Sequence, residues 1–136
     1  MTESPGSGLL DTSVFIARES ERPLGALPNH VAVSVVTIGE LQLGVLNAAD
    51  AESRARRADT LALARGADPI AVSEPVMVCW ASLIADCRAA GIHRTVKLTD
   101  ALIAATAVAR GLPVVTKDDD YDQMAGAHPS LRVLRV

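Results

Sequence analysis

Only three aromatic residues occur in 136, Phe15, Trp80 and Tyr121, so no aromatic core can form and the interior must be aliphatic. Hydrophobic residues still make up 49% of the chain. Ala, Val, Leu and Ile in that proportion suit an α/β domain whose parallel sheet is buried on both faces. Cysteine is nearly absent too. Cys79 and Cys87 fall in one expected helix over residues 75–90; eight residues there span about 12 Å, beyond the roughly 7 Å that a disulfide tolerates. No segment approaches about 18 uninterrupted apolar residues, and residues 1–8 have neither a basic stretch nor a signal-like apolar core. A reduced, cytoplasmic protein without a membrane span is the resulting expectation, with residues 1–8 as a flexible tail. Positive charge is not in excess: 13 Lys and Arg against 16 Asp and Glu leave a net charge of −3. That argues against a general polyanion-binding surface and allows only a local basic groove. Cys-x-x-Cys and His-x-x-x-His spacings are missing, which disfavours zinc. His30, His93 and His128 read as scattered surface residues.

A chain of this length forms one domain over residues 1–136 and buries roughly 68% of its unfolded surface. Residues 8–10 read as the end of a buried strand, followed by Asp11-Thr12-Ser13 as cap residues for a helix through residues 14–17. The β-branched run over residues 31–36 predicts a second strand, after which Ile38, Leu41, Val45 and Ala48 form a helical stripe. Asp50 caps a helix over residues 51–65, residues 70–72 are a weak strand, and Ser73 caps the helix over 75–90. Thr99 opens a helix over residues 100–110 that Gly111 terminates, and strands follow over 112–116 and 131–136. Strands alternating with helices imply right-handed crossovers in a parallel sheet, with ligands bound at the carboxyl ends of the strands.

The acids stand where that geometry gives them a purpose. Asp11 follows the first strand, Glu40 is placed at the start of the helix after the second, and Asp118 follows the strand over 112–116. Asp100 joins them in the first turn of a helix that is apolar nearly all round and therefore buried. Each has a plainer explanation: Glu40 fits a capping box with Thr37, Asp100 suits a helix dipole, Asp11 can cap the helix after it, and residues 118–120 can be a polar turn. Together they are harder to dismiss. Two ionised carboxylates about 5 Å apart repel by roughly 3 kcal/mol at an effective dielectric of about 20, so several need a counter-ion. Oxygen ligands select a hard cation, magnesium or manganese, which activates water and stabilises charge at a phosphoryl centre.

Four segments then resemble, in order, the signature segments of the PIN-domain ribonucleases. They are Leu10-Asp11-Thr12-Ser13-Val14-Phe15-Ile16, Thr37-Ile38-Gly39-Glu40-Leu41, the stretch from Thr99-Asp100-Ala101 to Ala107, and Val115-Thr116-Lys117-Asp118-Asp119-Asp120-Tyr121. More narrowly they look like VapC-type toxins of bacterial toxin–antitoxin pairs. The resemblance implies a three-layer αβα sandwich with a mainly parallel central sheet, and a magnesium-dependent endoribonuclease, usually dimeric, silenced by a cognate antitoxin. Asp11, Glu40 and Asp100 match the first three family acids and Asp118 the fourth, with Asp120 as a second candidate for it. Asp11, Asp100 and Asp118 would hold metal, supported by Thr12, Ser13 and Thr116. Thr99 departs from relatives that often carry Asn there.

RNA phosphates need cations, for which Lys97, Lys117 and Arg94 stand closest to the acids, ahead of Arg54 and Arg57, which also read as a solvated helix face. Of the aromatics, Phe15 and Trp80 are expected to serve a core or interface, leaving Tyr121 for base stacking. The apolar faces around Trp80 and along residues 38–48 offer surface for an antitoxin. Two rivals remain open at this point: a phosphate-handling receiver-like or haloacid-dehalogenase-like domain using Asp11 and Lys117, and an interaction module with a dead site.

Overall fold

The computed structural model describes residues 6–136. The two inner strands are apolar runs buried on both faces, whereas the two edge strands are partly exposed. β1 (Ser7–Leu10), β2 (His30–Ala32), β3 (Val114–Thr116) and β4 (Val133–Arg135) are all parallel, in the order β2-β1-β3-β4. Leu9 pairs with Val114 and Leu10 with Val115, so each strand sends one residue to each side. Leu9 and Val114 join a cluster with Leu83, Cys87, Ile103 and Met124, while Leu10 and Val115 join Val14, Phe15, Leu41 and Leu61. The helices divide accordingly. α1 (Thr12–Glu19), α2 (Val35–Leu46) and α3 (Ala51–Arg65) supply one layer, and α4 (Glu74–Ala89), α5 (Leu98–Arg110) and α6 (Asp120–Ala127) the other. The expected three-layer αβα arrangement is the one observed.

β1 and β3 approach too closely for a side chain at Gly8, where a Cβ would stand 2.5 Å from Val115 Cγ2 and 3.0 Å from Pro28 Cγ. Several helix ends follow local chemistry. Asp11 accepts from Ser13 N, Asp50 accepts from Ser53 N at 2.7 Å, and Gly111 closes α5 at φ 65°. Cys79 and Cys87 are both free thiols within α4, as their spacing requires.

Other expectations are corrected. The run over 31–36 is a strand only to Ala32, because Ser34 accepts from Val36 N at 3.0 Å and starts α2 at Val35. Thr37 is therefore no cap, and Glu40 sits one and a half turns into the helix. Residues 70–72 reduce to a single parallel bridge between Ile70 and Ser34. Ser73 occupies the N-cap of α4 without a side-chain cap bond, and α5 starts at Leu98, before Thr99. α6 was not anticipated. At the N-terminus, Ser7 and Gly8 belong to β1 and pair with His30 and Val31 of β2, so they are not tail; residues 1–5 of that expected tail lie outside the described residues.

Candidate functional site

At the carboxyl ends of β1 and β3 the chain leaves the sheet into α1 and into the turn before α6. Asp11 is the first residue after β1, and Thr116 is the last of β3. α5 presents its first turn there, carrying Asp100, and α2 brings Glu40. Asp11, Glu40, Asp100, Asp118 and Asp120 consequently line one cavity of about 270 Å³, with Thr12, Ser13, Ile16, Arg22 and Lys97. Every acid singled out from the sequence reaches it.

Asp11 is 4% exposed, and a buried carboxylate needs donors. Tyr121 Oη donates to Oδ1 at 2.8 Å; Thr116 Oγ1 at 3.1 Å and the Ser13 amide at 3.3 Å donate to Oδ2. A hydroxyl carries one proton, so the order of donation behind Thr116 is determined. The Lys117 amide donates to Ser13 Oγ at 3.0 Å, Ser13 Oγ lies 3.2 Å from Thr116 Oγ1 and must donate to it, and Thr116 passes its proton to Asp11. The Asp118 amide also donates to Thr116 Oγ1, at 3.0 Å, which ties the turn after β3 to the same group. Three donors on a carboxylate with about four acceptor positions leave one position, on Oδ1, for a further ligand.

Glu40 is oriented by Thr12, whose Oγ1 donates to Glu40 Oε1 at 2.6 Å. Thr37 Oγ1 lies 3.2 Å from the same Thr12 oxygen; since the short charge-assisted bond claims the Thr12 proton, Thr37 supports from behind. Thr12, Ser13 and Thr116 each make a hydrogen bond to one of the acids.

Among the described residues, no hydrogen bond or ion pair reaches the carboxylates of Asp100, Asp118 or Asp120. Their uncompensated charge has consequences. Half-buried Asp100 is raised to about 6, first by loss of hydration and then by the charges of Asp11, Asp120 and Glu40, against a smaller opposing pull from Lys97. Asp118, exposed as a whole residue, is also shifted upward, by partial desolvation first and then by Asp11 and Asp120, with Arg22 pulling the other way. Tyr121 is 1% exposed. Burial, followed by the charge of Asp11, pushes its phenol far above the ordinary range, so it stays a proton donor to that carboxylate.

This donor set fits a hard divalent cation: five carboxylates around one cavity, all oxygen ligands, no ion pair among described residues to neutralise them. No group of three or more acidic, His or Cys side chains among the described residues already forms a closed cage. The two facts are compatible, because like charges spread apart and a magnesium-sized ion takes one or two carboxylates with the rest of its shell as water.

The expected cations divide. Lys97 lines the cavity. Lys117 does not: its Nζ donates to the carbonyls of Pro23 and, at 3.0 Å, Val136. That also removes it as the cation partner of Asp11 that a phosphate-accepting rival would use. Arg94 is exposed and outside the cavity lining, and Arg57 donates to the Gly44 carbonyl at 2.6 Å, bracing α3 against α2. Tyr121 is too buried to stack on a base, whereas Phe15 is core and Trp80 is partly buried against the other cluster, as expected. His128 is not a surface residue; it is 7% exposed and its Nδ1 lies 2.6 Å from Asp86 Oδ2. Sequence reasoning missed Arg22 at the cavity, Tyr121 as the partner of Asp11, and Thr37 behind Thr12. Tyr121 and Thr37 left a signal, their places in the fourth and second signature segments; Arg22 left none.

Comparison with known proteins agrees with the geometry. The family model described as PIN domain matches residues 8–127. Ribonuclease VapC8 of Mycobacterium tuberculosis is 70% identical over 108 residues, covering 79% of this chain and 96% of that protein. Ribonuclease VapC5 of the same organism is 42% identical over 138 residues, covering all of both chains. Among solved structures, VapBC-5 from M. tuberculosis, a member of the VapBC family of toxin-antitoxin systems, superposes with a TM-score of 0.85 at 40% identity, over 97% of this chain and 100% of that one. Ribonucleases of the PIN type generally depend on a divalent metal. With its signature acids gathered at one rim and these relatives matched over most of its length, the chain belongs to the PIN-domain family and, within it, to the VapC group.

Proposed function

We propose that this chain is an endoribonuclease that hydrolyses RNA phosphodiester bonds with magnesium, manganese serving as a substitute, and that it is the toxin of a toxin–antitoxin pair. The observation that carries the reading is the convergence of Asp11, Glu40, Asp100, Asp118 and Asp120 on one cavity whose negative charge the protein leaves unpaired. Asp11 and Asp100 would hold the ion, with Asp118 as a third ligand and Asp120 as its alternate. When bound, the ion lowers the pKa of a coordinated water and neutralises charge developing at phosphorus. The chain's own contribution is positional. Tyr121, Thr116 and the Ser13 amide fix the rotamer of Asp11, and Thr12 aims Glu40, whose role would be to bind the metal or orient the attacking water. Lys97 attracts the strand.

The curated relatives are named ribonucleases and the VapBC-5 structure belongs to a toxin-antitoxin system. By the same likeness, the partner is a cognate antitoxin. An apolar groove of about 520 Å³ bounded by Val14, Phe15, Leu24, Leu27, Val31 and Leu63 suits an apolar antitoxin segment. A homodimer acting as one PIN unit per chain in the cytoplasm completes the reading. Among the described residues, no helix is long and apolar enough to cross a membrane.

The test is cleavage of RNA by antitoxin-free protein with magnesium, with a chelator, and with Asp11→Asn in magnesium. Cleavage only in the first condition is expected; equal cleavage with chelator overturns the metal mechanism. No cleavage in any condition, with the protein folded, supports a dead interaction module instead.

A further inference from the structure

Arg22 is the second cation of the site, beside Lys97. It lines the cavity with the five acids, although it lies eleven residues beyond Asp11 in a segment without regular structure. Its backbone is fixed from both sides. On one side α1 closes with the Glu21 amide donating to the Arg18 carbonyl at 3.1 Å and the Arg22 amide donating to the Ala17 carbonyl at 2.8 Å. That pair of bonds is a Schellman closure, which needs a left-handed residue at its corner and ordinarily uses glycine. Here the corner is Glu21, at φ 56°. On the other side the Pro23 carbonyl accepts from Lys117 Nζ, which also holds the carbonyl of Val136. A strained corner and a buttressing lysine thus flank one arginine.

Its guanidinium is left free. Among the described residues it has no hydrogen-bond acceptor and no ion-pair partner, whereas Arg57 and Lys117 both donate to backbone carbonyls. An arginine serving to neutralise the acids would sit within ion-pair distance of one of them. Arg22 stays further off, close enough only to moderate the upward shift of Asp118. A planar fork of donors held at the rim of a metal-binding pocket matches a phosphate that the ion does not contact.

We propose that Arg22 anchors a phosphate of the RNA strand next to the one being cleaved, and that Glu21 and Lys117 are positioning residues that hold it there. The inference rests on the endoribonuclease reading. It assigns Arg22 to substrate binding and gives Lys117 a part in RNA recognition without contact.

The test uses full-length protein, wild type, Arg22→Gln and Arg22→Lys. KM and kcat are measured separately for magnesium-dependent cleavage of mixed-sequence single-stranded RNA. Binding of the same labelled RNA is measured by fluorescence anisotropy at several salt concentrations in an Asp100→Asn background. Arg22→Gln should raise KM about tenfold with little change in kcat and reduce the slope of log affinity against log salt by about 0.7, the value for one phosphate contact on a single strand. Arg22→Lys should restore the slope while recovering only part of the affinity. Unchanged KM and slope overturn the assignment. So does tighter manganese binding by Arg22→Gln, read by calorimetry, with an unaltered slope, since that is the mark of a counter-charge. Failure of wild type to cleave while the slope still falls would refute the nuclease reading and leave the anchor standing.

Discussion

Replacing Asp100 by Asn should abolish cleavage and, without metal, make the protein more stable. Asp100 has an ordinary carboxyl pKa of 3.8 in the unfolded chain and about 6 in the folded one. A raised folded pKa means that ionisation opposes folding: the penalty is absent below about pH 3, grows as pH rises from the unfolded pKa of 3.8 to the folded value of about 6, and is fully present at pH 7.5. Taken at face value the displacement corresponds to about 3 kcal/mol. Because Asp100 is only half-buried, solvent screening reduces this to about 1 to 2 kcal/mol, and loss of the favourable interaction with the α5 N-terminus takes back a few tenths. Asn matches the volume and carries no charge. Urea denaturation in chelator at pH 7.5 should therefore show Asp100→Asn more stable by about 1 kcal/mol, equivalent to a melting temperature about 3 °C higher for a domain of this size. At pH 3, below both pKa values, the two proteins should coincide. Adding magnesium should stabilise wild type by mass action and move the variant little. An Asn variant equal to or less stable than wild type at pH 7.5 would refute the claim that these carboxylates repel one another.

Tyr121→Phe removes the donor to Asp11 Oδ1 and leaves a buried carboxylate oxygen short of a partner, so denaturation should show a loss of about 1 to 3 kcal/mol together with reduced cleavage. Gly8→Ala would drive a methyl into Val115 and Pro28 between β1 and β3, costing about 1 to 3 kcal/mol by the same measurement; a neutral result would contradict the close strand approach. Glu21→Gly relieves a left-handed corner and should gain up to about 1 kcal/mol in thermal unfolding, net of the entropy that glycine adds to the unfolded chain. A destabilised Glu21→Gly would show that the corner is unstrained.

The acids were legible because each marks a junction that sequence pattern can detect. Asp11 follows Leu9-Leu10, Asp100 heads a helix apolar on nearly every face, and Asp118 follows Val114-Val115-Thr116. What pattern obscured was the boundary inside the run over 31–36, where β-branched residues favour a strand locally but Ser34 supplies a cap and burial of Thr37 and Leu41 carries the helix. α6 hid behind three consecutive aspartates, which suit a turn; the helix is held by Tyr121 and Met124 entering the core, a tertiary effect. Lys117 misled for another reason. Neighbourhood in sequence does not fix direction, and beyond a strand end its side chain follows the two carbonyls it can reach, of Pro23 and Val136, and stays out of the cavity that the next residue, Asp118, lines. Arg22 depends on a backbone closure and on that distant lysine, neither of which a local pattern contains.

The site divides its carboxylates into two kinds, and the division follows from where each is attached. Asp11 emerges from the central strand, where hydration is lost outright, so it must be satisfied by protein: Tyr121 from α6, Thr116 from β3 and its own helix N-terminus all donate to it. Glu40 has the single strong donor Thr12. Asp100, Asp118 and Asp120 lie farther out, where water covers part of each group, and receive none among the described residues. Donors around Asp11 hold one ligand rigid before an ion arrives, and the bare outer acids supply the field that attracts it. Were all five satisfied by the protein, the cavity would be more stable and its affinity for a cation would fall; were none satisfied, burial of the Asp11 carboxyl group would cost folding stability with nothing to offset it. The aliphatic clusters on either side of the sheet, which contain none of these acids, supply the stability that makes this repulsion tolerable.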